Sequence, residues 1–208
     1  METLPVSELL AFGTLGFRHI TDPRGADHIL FLLALAAIYR FRDWRACVWV
    51  VTAFTVGHSV TLALAVTGLL VLPSAIIEFL IPVTIVATAL ENLVVQDGAR
   101  ALWGRRYRPV FAGVFGLVHG AGFANYLRSL FVDRMAVPLF GFNVGLEVGQ
   151  LVVIGLAFVT FAAFDRLLSL VVRQRSMDAD RPLRLRTFAV SIVVLSVAAR
   201  WMLERYPW

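Results

Sequence analysis

Residues 137–164 read VPLFGFNVGLEVGQLVVIGLAFVTFAAF, and Glu147 is the only charged residue among them. A membrane-spanning helix needs about 20 consecutive, mostly apolar residues. This stretch exceeds that length, so we predict a transmembrane helix that is tilted or extends beyond the bilayer.

The rest of the 208-residue chain contains five more stretches of this kind. The first reaches span length only if Asp27 and His28 lie inside the membrane boundary. Residues 4–17 are too short and too interrupted by glycine to span, so we interpret residues 1–25 as an outer interfacial or re-entrant segment. We therefore predict one all-α transmembrane domain over residues 1–208, a polytopic bundle of six helices near 26–40, 45–70, 73–96, 109–131, 137–168 and 186–204.

Composition supports a membrane class. The chain is 59% hydrophobic and 16% charged, against about a quarter charged for soluble domains. This excludes a disordered chain and a coiled coil. The single cysteine, Cys47, excludes an intrachain disulfide and a cysteine-based metal cluster.

Arginine positions predict the orientation. All 19 basic residues are arginine, and they concentrate in the segments 40–45, 100–108 and 173–186. The positive-inside rule places these loops in the cytoplasm and both termini outside, in what we take to be a bacterial cytoplasmic membrane. Because topology accounts for most of the basic charge, we expect no nucleic-acid partner.

Ionisable residues inside spans are rare, because a charge at the bilayer centre costs about 2.5–3.5 kcal/mol on insertion scales. Each is therefore a candidate site residue. The candidates within the predicted spans are Asp27, His28, His58, Glu78, Glu91, His119 and Glu147. The remaining histidine of the chain, His19, lies just before the first span.

Residues 19–28, HITDPRGADH, bring two imidazoles and up to two carboxylates to the outer end of span one. A proline and a glycine break the helix there, so His19 can fold back toward His28. Imidazole with carboxylate suits Ni, Co, Zn or Fe(II). The alternative is a polar helix start that Asp27 caps.

Span two places Thr55, His58 and Thr61 at intervals of three, on one helix face. The hydroxyls of Ser59 and Thr61 either line a site or bond backbone carbonyls. His58 is either a satisfied core group or a ligand.

In span four, His119 follows a glycine stripe, with Gly113 and Gly116 before it and Gly122 after it. Such a stripe is typical of a helix contact. His119 is then expected to face another helix, as a structural hydrogen-bond partner or as a metal ligand.

Span five carries two stripes. Asn143, Glu147 and Gln150 form a polar one, and glycines at 141, 145 and 149 form a second that indicates helix contact. The polar stripe is either the lining of a site or pathway, or an interhelical hydrogen-bond ladder.

Span three carries Glu78 nearer the outside and Glu91 nearer the cytoplasm. They are carboxylates for ion uptake and exit, proton carriers, or partners of loop arginines. We identify no clear internal repeat at the residue level, although an inverted three-plus-three repeat is common in transporters.

The predicted topology places His28 at the outer mouth of the bundle and the side chains of His58, His119 and Glu147 deeper in the membrane. Each of these four side chains must avoid lipid, so we predict that they surround one site in the outer half to middle of the bundle.

Five motifs contain these polar residues: GFRHI (16–20), GADHILFLL (25–33), FTVGHSVTL (54–62), GLVHGAGFA (116–124) and FNVGLEVGQ (142–150). Together they resemble the HupE/UreJ family, membrane proteins associated with hydrogenase and urease maturation. The His…Asp-His motif and the motif around His58 are also similar to nickel/cobalt permeases.

The resemblance implies six helices and uptake of nickel or cobalt. The family usually has five residues between the first His and the Asp-His pair, whereas seven lie here. Asp22 with Pro23 looks like an insertion, which makes Asp22 an alternative to His19. The resemblance assigns metal contact to His19, Asp27, His28 and His58, and adds weight to His119 and Glu147.

These observations support three functional hypotheses. The first is a permease that captures Ni²⁺ or Co²⁺ outside, passes it along the Asn143–Glu147–Gln150 stripe and releases it near Glu91. The second is a membrane-embedded Zn²⁺ hydrolase in which Ser59 orients the substrate. The third is an adaptor that delivers metal to a maturation partner through residues 173–186, a segment that otherwise contacts anionic lipid. The protein partner is then either a metalloenzyme-maturation protein or a second copy of this chain in a homo-oligomer.

Overall fold

Seven α-helices make up the part of the chain that the computed structural model describes, residues 5–95, 104–130, 135–172 and 181–207, and these residues contain no strand. The predicted all-α class is confirmed. Short 3₁₀ turns at Pro23–Gly25 and Phe41–Asp43 precede the second and third helices. The helices are α1 Pro5–Thr21, α2 Ala26–Ala37, α3 Trp44–Val66, α4 Ser74–Val95, α5 Gly104–Leu130, α6 Ala136–Val172 and α7 Arg181–Glu204.

Four segments of the described chain are long and apolar enough to cross a membrane: Phe41–Val66, Ser74–Val95, Ala136–Leu170 and Arg181–Glu204. They coincide with predicted spans two, three, five and six. Predicted span one is α2, which has 12 residues and rises about 18 Å.

Predicted span four lies within α5, except that residue 131 lies outside the described residues. Residue 96, the last residue of predicted span three, also lies outside them. So do the stretches 96–103 and 173–180, which contain arginines used to predict the orientation. The count of six spans and the orientation of the termini stay predictions.

α1 is continuous over Pro5–Thr21, so the interpretation of residues 5–17 as interrupted by glycine is wrong. Glycine weakens an isolated helix, but here Gly13 and Gly16 pack against α6 and the contact compensates. The chain breaks later, as predicted from Pro23 and Gly25. The Asp22 carboxylate accepts a hydrogen bond from the Arg24 backbone N–H at 2.9 Å and starts the 3₁₀ turn.

The two most extensive helix contacts join α1 to α6 and α3 to α5. In the α3–α5 pair, a Cβ on Gly57 would collide with the carbonyl oxygen of Gly113, and one on Gly116 with that of Phe54. Only glycine allows such close backbone approach. The predicted glycine contact of α5 is therefore confirmed, and the α1–α6 contact described next confirms that of α6.

The α1–α6 pair is built in the same way. A Cβ on Gly16 would collide with the carbonyl oxygen of Phe142, and one on Gly145 with that of Gly13.

The sequences of the two helix pairs are also similar: GTLGFRH (13–19) in α1 matches GVFGLVH (113–119) in α5, and FNVG (142–145) in α6 matches FTVG (54–57) in α3. The chain therefore contains a short internal repeat, and the prediction that none is clear is wrong.

α2 lies against α4, α6 and α7, and its carboxyl end is anchored by α7. The Arg186 guanidinium donates to the carbonyl oxygens of Ala37 at 3.1 Å and Tyr39 at 2.8 Å, and also pairs with Asp165. The Thr187 hydroxyl donates to the Ala37 carbonyl at 2.9 Å. These bonds satisfy carbonyls that a helix end leaves open, so α2 holds its position although it is short.

Candidate metal centre

Three histidines from three helices meet inside the bundle. His19 lies near the end of α1, His28 in the first turn of α2 and His58 in α3. Each offers one ring nitrogen, and the three nitrogens lie within 4.8 Å of one another. The His19 and His28 ring centroids are 4.7 Å apart, and the His58 centroid is about 6 Å from both.

Local structure explains this convergence. The turn after α1 reverses the chain enough to place His28 against His19, as the sequence predicted. Close packing of α5 on α3 then fixes His58, because a Cβ on Gly120 would collide with the His58 carbonyl oxygen. Two backbone features, a break and a glycine contact, therefore assemble the group.

Four of the six ring nitrogens of this group have no hydrogen-bond partner in the described structure. His58 is fully buried, and neither of its ring nitrogens has a partner in the described structure; the same is true of Nε2 of His19 and of His28. A buried polar atom without a partner costs about 1–3 kcal/mol. A divalent metal ion accepts neutral imidazole lone pairs and would satisfy several of these atoms at once.

Aromatic side chains enclose the group. The ring centroid of Phe123 is 4.0 Å from that of His19, and Phe54 meets His28 edge-on at 6.2 Å. Phe142 stacks over His58 at 6.4 Å. These rings supply no hydrogen-bond donor or acceptor to the imidazoles.

His119 lies beside the three-histidine group. Its ring centroid is 5.1 Å from that of His28, although it is not part of the group whose nitrogens lie within 4.8 Å of one another. Of the predicted single site of His28, His58, His119 and Glu147, the structure therefore places the three histidines close to one another. Nε2 of His119 lies 3.0 Å from the Thr84 hydroxyl, while its Nδ1 is buried without a partner in the described structure. Thr84 is absent from the predicted site residues, although its i, i+4, i+7 spacing with Thr88 and Glu91 marks a polar face.

The predicted carboxylate ligands of the first motif have other partners. Asp27 forms an ion pair with Arg205 at 3.3 Å. Asp22 is exposed and starts the turn. Neither carboxylate belongs to the three-histidine group, although Asp27 is the neighbour of His28 in sequence.

The polar stripe of α6 faces α3. The Thr52 hydroxyl donates to Oε1 of Glu147 at 2.7 Å, and the Thr55 hydroxyl to Oε1 of Gln150 at 2.6 Å. These bonds form the interhelical ladder that the sequence left open as an alternative. In the described structure the second carboxylate oxygen, Oε2 of Glu147, has no partner, and neither has Oδ1 of Asn143.

The other predicted pathway residues spread through the bundle. The Ser59 hydroxyl donates to the Thr55 carbonyl at 2.7 Å, one of the two roles considered for it. Thr61 is buried on α3, and Glu78 is exposed on α4. Glu91 pairs with Arg108 at 3.2 Å, which matches the alternative of pairing with an arginine.

Arg108 is 3% exposed and also donates to Oδ1 of Asn92 at 2.7 Å. The amide of Asn92 in turn donates to the Ala34 carbonyl at 2.6 Å. This polar layer therefore connects α5, α4 and α2. It lies 11 residues from His119 along α5, a helical rise of about 16 Å.

Comparisons with known proteins agree with the sequence motifs. The family described as HupE / UreJ protein matches residues 1–205. Neither the search of curated proteins nor the search of solved structures returns a match. Because the match extends over almost the whole chain and includes all four histidines, this protein belongs to the HupE/UreJ family.

Proposed function

We propose that the protein is a membrane transporter for a divalent transition-metal ion, with nickel or cobalt as its substrate, in a bacterial cytoplasmic membrane. One observation carries the proposal: the half-buried imidazole of His19 and the buried imidazoles of His28 and His58 offer nitrogens within 4.8 Å of one another, and each of these rings has at least one buried nitrogen without a hydrogen-bond partner in the described structure.

The ligand chemistry supports a late transition metal. Imidazole nitrogen suits Ni, Co, Zn and Cu, whereas Mg²⁺ and Ca²⁺ prefer oxygen. Cys47, the only cysteine, is buried in α3 and outside the histidine group. Family membership supports nickel or cobalt among these metals, because the family resemblance is to proteins of hydrogenase and urease maturation.

The absence of a carboxylate from the three-histidine group favours transport over hydrolysis. A zinc hydrolase needs a general base beside the metal-bound water. Among the described residues, Asp27, the neighbour of His28, pairs with Arg205, and Glu147 accepts a hydrogen bond from Thr52 with one of its two oxygens. Neither carboxylate belongs to the three-histidine group. A site of neutral ligands also leaves the dication's charge uncompensated, which favours release.

The route of the ion in this proposal rests on the orientation that the arginines predict: an ion reaches His28 past Asp27 and leaves past Glu91. Glu91 is paired with Arg108, so release there requires the pair to separate. In the stripe of Asn143, Glu147 and Gln150, the last two bond across to α3, so the oxygens left for a passing ion are Oδ1 of Asn143 and Oε2 of Glu147, which have no partner in the described structure. An inside-negative potential favours entry by about 2.3 kcal/mol per charge per 100 mV.

Uptake of Ni²⁺ into proteoliposomes tests the proposal. The variants His28→Ala and His58→Ala each remove one ligand and are expected to lower the initial rate at least 10-fold. Ser191→Ala is a matched control, since Ser191 is buried in α7 and its hydroxyl has no partner in the described structure.

Both histidine variants transporting at the wild-type rate would overturn the proposal. Tightly held zinc that does not exchange, together with hydrolytic activity, would replace transport with the hydrolase.

A further inference from the structure

Two contacts of the Thr84 hydroxyl bear on where the imidazole proton of His119 lies. The Thr84 oxygen is 2.7 Å from the Ile81 carbonyl oxygen and 3.0 Å from Nε2 of His119. A hydroxyl has one hydrogen to donate and lone pairs to accept with. If that hydrogen goes to the Ile81 carbonyl, the nearer acceptor, then the Thr84 oxygen accepts a hydrogen bond from an N–H at Nε2.

A neutral imidazole with its proton on Nε2 carries its lone pair on Nδ1. In His119 this Nδ1 is buried and has no partner in the described structure. The ring lies against the phenyl rings of Phe31 and Phe54, at 5.3 and 5.2 Å, and against the imidazole of His28 at 5.1 Å. The phenyl rings leave the lone pair unsatisfied, and the neighbouring polar ring belongs to the three-histidine group.

We propose that Thr84 is a positioning residue: it holds His119 in the tautomer protonated at Nε2 and so makes Nδ1 a fourth imidazole ligand for the cation bound by His19, His28 and His58. The inference rests on the proposed function and deepens it. It brings α4 and α5 into a site that the three-histidine group builds from α1, α2 and α3.

A general rule of metal sites supports this role. A histidine ligand usually donates its other ring N–H to a hydrogen-bond acceptor, which fixes both the tautomer and the ring orientation, and losing that partner typically costs 10–100-fold in metal affinity. Thr84 has the required geometry, and its hydroxyl is itself fixed by Ile81, so the acceptor is held in place.

Titration with Co²⁺, followed by its visible absorption, tests the affinity. Thr84→Val keeps the shape of the side chain and removes the acceptor, so we expect Kd to rise 10–100-fold. Thr84→Ser restores the acceptor and is expected to stay within 3-fold of wild type. Thr88→Val is the matched control: Thr88 is buried one turn away on α4, and its hydroxyl donates only to the Thr84 carbonyl in the described structure.

Nitrogen NMR of the metal-free protein labelled with ¹⁵N-histidine tests the tautomer, which a purely structural role of Thr84 would not determine. His119→Ala assigns the signal. We expect protonation at Nε2 in wild type and Thr84→Ser, and a mixture of tautomers in Thr84→Val. Protonation at Nδ1 in wild type, or wild-type Co²⁺ affinity in Thr84→Val, would overturn the inference.

The His58→Ala variant separates this failure from that of the proposed function. If wild type binds Co²⁺, His58→Ala does not, and Thr84→Val binds like wild type, then only the role of Thr84 fails. If wild type binds neither Co²⁺ nor Ni²⁺, the proposed function fails, and the ligand role of His119 fails with it.

Discussion

The α1–α6 and α3–α5 pairs share one packing pattern and carry different chemistry. Each pair brings two backbones into contact through glycines at equivalent positions, and each ends its GxxGxxH segment in a histidine, His19 in one and His119 in the other. After the shared FxVG segment they diverge, because His58 in α3 corresponds to Leu146 in α6. Glycines therefore determine the helix contact, and the residues beside them determine the site.

A second difference lies in the course of the chain after each histidine. α5 continues to Leu130, whereas α1 ends at Thr21 and the chain turns into α2. That turn places His28 beside His19. A continuous helix brings only residues three or four positions away onto the same face, and in α5 the residues at those positions after His119 are Gly122 and Phe123.

The largest effect is expected where the two pairs diverge. His58→Leu gives α3 the leucine that α6 has at the equivalent position, Leu146. The substitution removes one proposed metal ligand and, with it, two buried ring nitrogens that have no hydrogen-bond partner in the described structure. We expect nickel affinity to fall at least about 100-fold, while the free energy of unfolding without metal rises by about 1–3 kcal/mol.

Calorimetric titration with Ni²⁺ and unfolding in mixed micelles measure these two quantities for His58→Leu. Unchanged nickel affinity would remove His58 from the site, and a lower stability would mean that its nitrogens have partners.

The next effect tests the packing that the pairs share. Gly16→Ala and Gly116→Ala each place a Cβ against a carbonyl oxygen of the partner helix, which is backbone and cannot move alone. We expect each to lower the free energy of unfolding by about 1–3 kcal/mol, as overpacking does.

Gly155→Ala is the control for these substitutions, because a Cβ on Gly155 in α6 would meet nothing within 4 Å. It is expected to be neutral or to stabilise by up to about 1 kcal/mol. Equal effects at all three positions would show that the shared packing does not depend on these glycines.

The smallest effect concerns the contact between the pairs. Thr55→Val removes the donor to Gln150 and is expected to lower the free energy of unfolding by about 0.6–2 kcal/mol. The control is Thr160→Val on α6, an exposed hydroxyl that donates only to the Leu156 carbonyl in the described structure. If both variants unfold at the same denaturant concentration, the α3–α6 ladder contributes nothing to stability.

Much of the framework was predictable from the sequence. Apolar length located α3, α4, α6 and α7, since a span must be continuous and apolar. The proline and glycine after His19 indicated the break, and the position of each histidine in or beside an apolar span indicated that they must avoid lipid. These signals are local, so one sequence is enough to detect them.

The partners of the polar residues were not predictable in the same way. Thr84 with His119, Thr52 with Glu147 and Asp27 with Arg205 lie 35, 95 and 178 residues apart. A helix that is apolar on all sides has no pattern that determines its rotation. The repeat is weak in the sequence, because GTLGFRH and GVFGLVH share only two glycines and the histidine, and it becomes evident from the equivalent helix contacts.

The central claim is that one metal ion is held by imidazoles from separate helices. X-ray absorption at the nickel edge of the Ni²⁺-loaded protein in detergent tests it most directly. We expect about one nickel per chain, the scattering pattern of three or four imidazole ligands and no sulfur ligand, with the bound nickel lost in His28→Ala. A first shell of oxygen without imidazole scattering, or nickel retained in His28→Ala, would contradict it.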